Sequence, residues 1–475
     1  MSNAKTIVKN TSILIFGEVL SRILSFFLII FIARHLGEIG LGKYSFVFAF
    51  VGIFSILSEF GTSVYMTREL SKDTSLAEEY LGKIFVFKLA VSAVAASLPV
   101  IIIIFTNQTS EIKIGILLAA MAMFMYYIAF PFRAVVNAFE TQGYQSLYVV
   151  TERIIAFVFG IFVLYKGYGL LALLIVLVLS NASSWFILYR LVSKNIVRLK
   201  IKVDFAFIKS FLKKSFPFWF TSVFITIYFK IGTVMLSFLK GYAATGWYNA
   251  SYKIIDALSV IPVMVITAVF PAMSKFYKKN DNLLQMLYEK SFYYLALLAL
   301  PLGVGATLLA DRIILFTYKQ SFINSVIVLQ ILIWALVLIF VNYLMGYLLN
   351  SIEKQKLFTY TTGISAVLNI ILNFVLIPLY SFIGAAIATV ATELFNFIML
   401  YYFTSKSGYC INLFRTMYKP LVATVLMGIF LIYLSKLHLL LLVPLNITFY
   451  FLILFLIGGI REDDKRLLLS FIGVK

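Results

Sequence analysis

One cysteine, Cys410, leaves no internal disulfide to form. Two histidines, His35 and His438, cannot build a zinc site of ordinary spacing with that single thiol. Charge is scarce as well. Asp, Glu, Lys and Arg make up 13% of the 475 residues, about half the share of an ordinary soluble protein. A soluble chain of this length still needs a polar coat, and there is too little polar sequence to make one. These shortages exclude a soluble enzyme, a disordered chain and a secreted disulfide scaffold.

What is present is apolar. Hydrophobic residues make up 62% of the chain, and the mean hydropathy is +1.00. Runs such as 90–105 have almost no polar break. A membrane β-barrel alternates apolar and polar residues, so these runs exclude it. A spanning helix takes about 20 residues. The expectation is an all-α polytopic membrane protein of about 14 transmembrane helices. The predicted spans are 12–34, 42–67, 83–105, 114–138, 147–166, 168–190, 215–239, 247–273, 287–310, 321–349, 357–379, 382–404, 415–435 and 438–460. The short basic N-terminus leads into a long apolar run that carries Glu18 and Arg22. That reads as a first span and not as a cleaved signal peptide.

The net charge is +20. In a soluble chain that would suggest nucleic acid. In a membrane protein it sets orientation, so no nucleic-acid partner is expected. With the N-terminus inside, 25 Lys and Arg fall in cytoplasmic segments and 8 in outer ones. Both termini are therefore expected in the cytoplasm. The longest polar connection, 194–214, is Lys-rich and partly amphipathic, with Phe205, Phe207, Ile208, Phe211 and Leu212. It reads as a surface helix linking two halves.

The halves share motifs. Gly37–Tyr44 and Gly241–Tyr248 both fit G-x4-G-x-Y, and Asn137–Gln142 and Asn350–Gln355 both fit N-x-Φ-E-x-Q. Each pair lies six spans apart, which predicts a parallel repeat about an axis along the membrane normal. The expected domains are a six-helix lobe at 1–195, a cytoplasmic linker at 196–214, a second six-helix lobe at 215–407, and two further helices with a cytoplasmic tail at 408–475. Gly37–Tyr44 also nearly spells a phosphate-binding loop. Tyr44 stands where the magnesium-holding hydroxyl would be, and no strand precedes it. A tight glycine turn is the reading, and ATP is not expected to drive this chain.

Charges inside the spans are the informative residues. They are Glu18, Arg22, Glu59, Lys88, Arg133, Glu152, Arg153, Lys230, Lys253, Asp256, Lys290 and Glu393. Each costs roughly 3 kcal/mol at the bilayer centre if it faces lipid. They must snorkel, pair or line a wet cavity. Lys88 and Lys290, near predicted cytoplasmic ends, are expected to snorkel. Glu18 with Arg22, and Lys253 with Asp256, have the spacing of pairs on one helix face. The bases outnumber the acids, so an anionic cargo is expected. Its headgroup would meet Arg22, Arg133 and Arg153 on the first lobe and Lys230 and Lys253 on the second. Glu18, Glu59 and Asp256 would serve as charge partners or as coupling-ion sites. Pro262 is expected to kink its helix and serve as a gate. Asn342, Asn369, Asn373 and Asn396 are expected to bond between helices.

Asn10-Thr11, Phe16-Gly17, Ser21-Arg22, Ala33–Gly37 and Gly42–Tyr44 together resemble the start of the polysaccharide transporter family. So do Tyr248–Lys253 with Pro262 and Phe270–Ser274, and so does Gly384–Thr389. That family lies within the multidrug/oligosaccharidyl-lipid/polysaccharide exporter superfamily. The resemblance implies two six-helix lobes around a central cavity, alternating access, and a flippase with no catalytic residues. It also implies a polyprenyl-(pyro)phosphate-linked oligosaccharide as cargo, moved from the inner to the outer leaflet of the plasma membrane. No cofactor or metal is expected, and a coupling ion, Na+ or H+, is left open. The expected partners are the lipid-linked sugar and membrane lipid; the chain is expected as a monomer, with association to glycan-assembly enzymes left open. The alternative is a cation-coupled multidrug exporter of the same superfamily. Its cavity would be acidic, which the basic excess disfavours.

Overall fold

The computed structural model describes residues 2–459, leaving aside the side chains of residues 2–16, Val64, Pro217, Phe218, Phe220 and Thr221. The predicted tail with Arg461, Lys465, Arg466 and Lys475 lies outside the described residues, as do the Lys5 and Lys9 side chains. The described chain is helical and carries no strand. Its helices are α1 (Ser2–Phe54), α2 (Ile56–Glu59), α3 (Thr62–Lys72), α4 (Ala77–Ile104), α5 (Ser110–Ile128), α6 (Phe130–Ala138), α7 (Gln142–Tyr165) and α8 (Gly169–Asn195). They continue as α9 (Phe205–Leu258), α10 (Val260–Phe276), α11 (Asp281–Leu308), α12 (Ala310–Thr317), α13 (Ser325–Ser351), α14 (Gln355–Lys406), α15 (Leu413–Tyr433) and α16 (Leu439–Leu456). Helix is what lipid demands, because it satisfies every backbone group within one segment.

Among the described residues, eleven helical segments are long and apolar enough to cross a membrane. Three of them turn on a single non-helical residue, at Gly37 in α1, Gly241 in α9 and Ser381 in α14. Gly37 has φ 68° and ψ −171°, and Gly241 has φ 82° and ψ −175°. A glycine reaches this backbone region freely, which is why the motif begins with one. The second motif pair also shares a conformation. Glu140 and Glu353 have φ 55° and 62°. Around them the N–H of Thr141 reaches the Val136 carbonyl at 3.1 Å, and that of Lys354 reaches Leu349 at 2.8 Å. Both helices thus end with a left-handed residue that satisfies a last-turn carbonyl.

The chain forms two compact units. The first holds Met1–Ala250 and Asn369–Phe382, the second Ser251–Leu368 and Ile383–Lys475. In the first unit a polar strap, residues 196–204, runs along the start of α4. Lys200 bonds Glu78 at 2.7 Å, and Asp204 bonds Lys83 at 2.7 Å. Gly82 between them leaves room for the Lys200 carbonyl, which a Cβ would meet at 1.9 Å. Asp204 also accepts the Phe207 N–H at 2.9 Å and so caps α9. The helix that begins there runs on without a break to Gly241. Its first turns bury Phe211 against Tyr65, Leu188 and Val192.

In the second unit α9 ends at Leu258 and α10 starts at Val260. Pro262 therefore stands in the first turn of a new helix, where its missing N–H leaves no bond unmade. The break lies just ahead of the proline, while Pro271 sits inside α10. Asn342 of α13 donates to the Glu393 carboxylate of α14 at 2.7 Å, an interhelical bond. In the first unit Asn373 instead bonds Asn369 one turn back on its own helix, at 2.9 Å.

Candidate functional site

The charged centre of the first unit is built from α1, α5, α6 and α7. Arg133, on the short helix α6, is partly buried. Its Nε donates to the Gln145 side-chain oxygen at 3.2 Å, and its Nη1 donates to the Tyr126 hydroxyl at 3.3 Å. The guanidinium also lies over the rings of Phe130, Tyr148 and Tyr126, at 5.2, 5.5 and 5.6 Å. A cation over ring faces is held electrostatically without an acid of its own. One turn after Tyr148 on α7, Glu152 is 7% exposed. It meets Arg153 at 3.0 Å and lies within electrostatic reach of Arg133. Arg153 in turn donates to the Ser21 hydroxyl of α1 at 3.2 Å. Both arginines thus lie within reach of one buried carboxylate.

Glu18 and Arg22 flank Ser21 on α1. Both are exposed, and among the described residues no ion pair joins them. The spacing that predicts a pair is present, but the pair is not formed. Arg22 instead projects from the helix next to the residue that anchors Arg153. At 100° per residue, Glu18 and Arg22 lie on the same side of α1 as the buried Ile29, well round from the exposed Ile23 and Phe27. Glu18 also lies within electrostatic reach of Arg133.

Lys88 is where the sequence reading fails. Expected to snorkel, it is 1% exposed. Its ammonium donates to the carbonyls of Ser58 and Glu59, the latter at 3.0 Å, and lies over the Phe130 ring at 5.3 Å. The turn at Phe60 and Gly61, both left-handed, frees those carbonyls from helical bonding. Glu59 is within electrostatic reach of both Lys88 and Arg133. Tyr126, Gln145 and Tyr148 were also missed. Nothing in a single sequence separates them from the many packing aromatics and loop amides.

Lys230, on α9, lies with its aliphatic chain against Gly52 of α1, where a Cβ would meet it at 3.6 Å. In the second unit Lys253 pairs with Asp256 at 3.6 Å, with both side chains partly exposed. The structure thus gathers Arg133, Arg153, Glu18 and Glu59 into one network, with Arg22 beside it and Lys230 elsewhere in the same unit. Lys253, Asp256 and Pro262 belong to the second unit. Among the described residues no three His, Cys, Asp or Glu side chains are grouped to hold a metal ion.

An all-helical chain with many spans and an ionic network inside its bundle is a polytopic membrane protein. The model of the polysaccharide biosynthesis protein family matches residues 7–277, more than half of the chain, and the chain belongs to that family. A second model, MatE, matches residues 217–375. The chain is 24% identical over 409 residues to the probable low-salt glycan biosynthesis flippase Agl15 of Haloferax volcanii, covering 82% of this chain and 83% of that one. It is 25% identical over 419 residues to a putative O-antigen transporter of Shigella flexneri, covering 81% and 94%. Its fold is similar to that of the lipid II flippase MurJ in an inward closed conformation. The TM-score is 0.77 at 18% identity, covering 94% of this chain and 98% of that one. Each of these three relatives is named as a flippase or a transporter.

Proposed function

We propose that this transporter flips a polyprenyl-(pyro)phosphate-linked oligosaccharide from the inner to the outer leaflet of the plasma membrane, for surface glycan assembly. The observation that carries the reading is the charged cluster in which Arg22, Lys88, Arg133 and Arg153 outnumber Glu18, Glu59 and Glu152, with Arg22 exposed. A phosphate in hydrocarbon is prohibitively costly, so the headgroup needs such a path while its tail stays in lipid. Arginine suits the task, because it grips phosphate with two parallel hydrogen bonds. Relatives named as a glycan biosynthesis flippase and an O-antigen transporter point to the same class of cargo.

The finer parts of the proposal are these. Both termini lie in the cytoplasm, following the distribution of Lys and Arg. The chain works as a monomer of two six-helix lobes, 1–195 and 215–407, by alternating access, and the shared conformations at Gly37 and Gly241 favour such a duplication. Arg22, Arg133 and Arg153 meet the phosphate with Lys230 and Lys253. The second reading, a cation-coupled drug exporter, draws on the MatE match at 217–375 and on Glu18, Glu59 and Asp256. Liposomes containing a fluorescent lipid-linked sugar test both readings. Protein-dependent loss of protection from an impermeant quencher is expected, measured with and without Na+ and H+ gradients. Transport of a fluorescent organic cation with no movement of the lipid would overturn the flippase reading.

A further inference from the structure

A second cationic site lies wholly within the second unit, where α11, α15 and the end of α16 meet. It is a cavity of about 450 Å³ lined by Lys290, Arg415, Lys419, Glu289, Tyr293 and Asn412, among others. Three bases face one acid. Lys419 is spent on the Gly458 carbonyl at 2.7 Å, and the Tyr293 hydroxyl donates to the Gly459 carbonyl. Glu289 accepts from Gln285 at 2.6 Å, so it is tied to its own helix. Among the described residues, Lys290 and Arg415 have neither an ion pair nor a side-chain hydrogen bond. Among the described residues, the cavity therefore offers two unpaired cations around a space of ligand size.

Further features fix the kind of ligand. Asn412 caps α15, accepting the Arg415 N–H at 3.1 Å, so the positive end of that helix also opens here. The apolar helix α16 ends at this cavity and leaves Leu452, Phe455 and Leu456 exposed at 52%, 53% and 69%. An anion held by Lys290 and Arg415 would sit at the end of a helix that carries this apolar surface. A soluble anion has no use for that surface, whereas a lipid needs both. Lys290, expected to snorkel, is part of the lining of this cavity.

We propose that this cavity binds the phosphate headgroup of an anionic membrane phospholipid, gripped by Arg415 and Lys290, with its chains along α16. The proposal stands independently of the cargo cluster in the first unit. The test is native mass spectrometry of the delipidated full chain, titrated with phosphatidylglycerol and, separately, with phosphatidylcholine. One tightly held phosphatidylglycerol is expected, weakened roughly tenfold by Lys290→Gln with Arg415→Ala, as for loss of a charged hydrogen bond. Phosphatidylcholine binding should not change, nor should phosphatidylglycerol binding in Lys113→Gln. Unchanged retention of phosphatidylglycerol in the double variant overturns the site. Displacement of the lipid by millimolar inorganic phosphate overturns the lipid assignment in favour of a free anion. If the double variant does not fold, Lys290→Gln alone decides, since it keeps the side chain's length and removes only its charge.

Discussion

Gly42 and Gly246 pack in mirrored fashion. A Cβ on Gly42 would stand 1.8 Å from the carbonyl oxygen of Tyr242, and one on Gly246 would stand 1.9 Å from that of Glu38. Glu38 follows the turn glycine Gly37, and Tyr242 follows Gly241, so each motif's second glycine receives the other motif's turn. Phe46 packs on Phe238 and Tyr242 beside this contact, at 5.2 and 5.7 Å between ring centres.

Alanine at either glycine should push two backbones apart. Overpacking of this kind costs about 1–3 kcal/mol, offset only partly by alanine's better helix propensity. Thermal melting in detergent should fall for Gly42→Ala and for Gly246→Ala. The double variant should fall by less than the sum, since one displacement relieves both clashes. Full additivity would mean that the two contacts are independent.

Arg22→Ala should leave membrane abundance unchanged, because Arg22 is exposed and unpaired among the described residues. Headgroup binding should weaken by roughly 1.5–3 kcal/mol, the range for a charged hydrogen bond. Lys230→Ala should weaken headgroup binding as well. Normal flipping in both variants would make these charges structural only.

Arg153→Ala should behave differently. It leaves the buried Glu152 without its 3.0 Å partner, and because the Arg153 side chain is 37% exposed the cost falls below the about 3–5 kcal/mol of a fully buried pair. Abundance should drop, and Glu152→Gln in the same chain should restore it. Restored abundance with flipping still lost would separate the structural role of Arg153 from its role in transport. Failure of the second substitution to rescue would show that the Ser21 bond, not the ion pair, holds α7 to α1.

The strap at 196–204 carries a pH dependence. Lys83, and then the Phe207 N–H, hold the Asp204 carboxyl below the usual carboxylate range. A depressed pKa contributes stability above the unfolded value, about 3.9. That stability is lost as pH falls through the lower folded value. Amide exchange across 196–204, corrected for intrinsic rate, should accelerate on acidification below that range. Asp204→Asn should accelerate it already at neutral pH and flatten the profile. A profile unchanged by the substitution would show that Glu78 and Lys200 suffice to hold the strap.

The fold was legible because its signals are long and local. Apolar runs of more than twenty residues leave helix as the only choice in lipid, and Gly37, Gly241, Glu140 and Glu353 mark their turns by motif. The site was legible only in its residue types. Spacing says that Glu18 and Arg22 share a face of α1. It does not say that Arg153, from a helix more than a hundred residues later, would take the Ser21 hydroxyl between them. Lys88 was misjudged for a related reason. Its partners are backbone carbonyls at Ser58 and Glu59, freed by a left-handed turn at Phe60 that no side-chain pattern announces.

Single-residue turns also decide where this polypeptide can be handled. At Gly37, Gly241 and Ser381 one helix runs into the next with no loop between them, and two of these turns are locked against each other's backbone. Each follows an odd-numbered predicted span, so all three should emerge on the same face. That face offers an antibody little to hold there and a protease little to cut. An epitope tag or fluorophore inserted at these turns would split a helix pair.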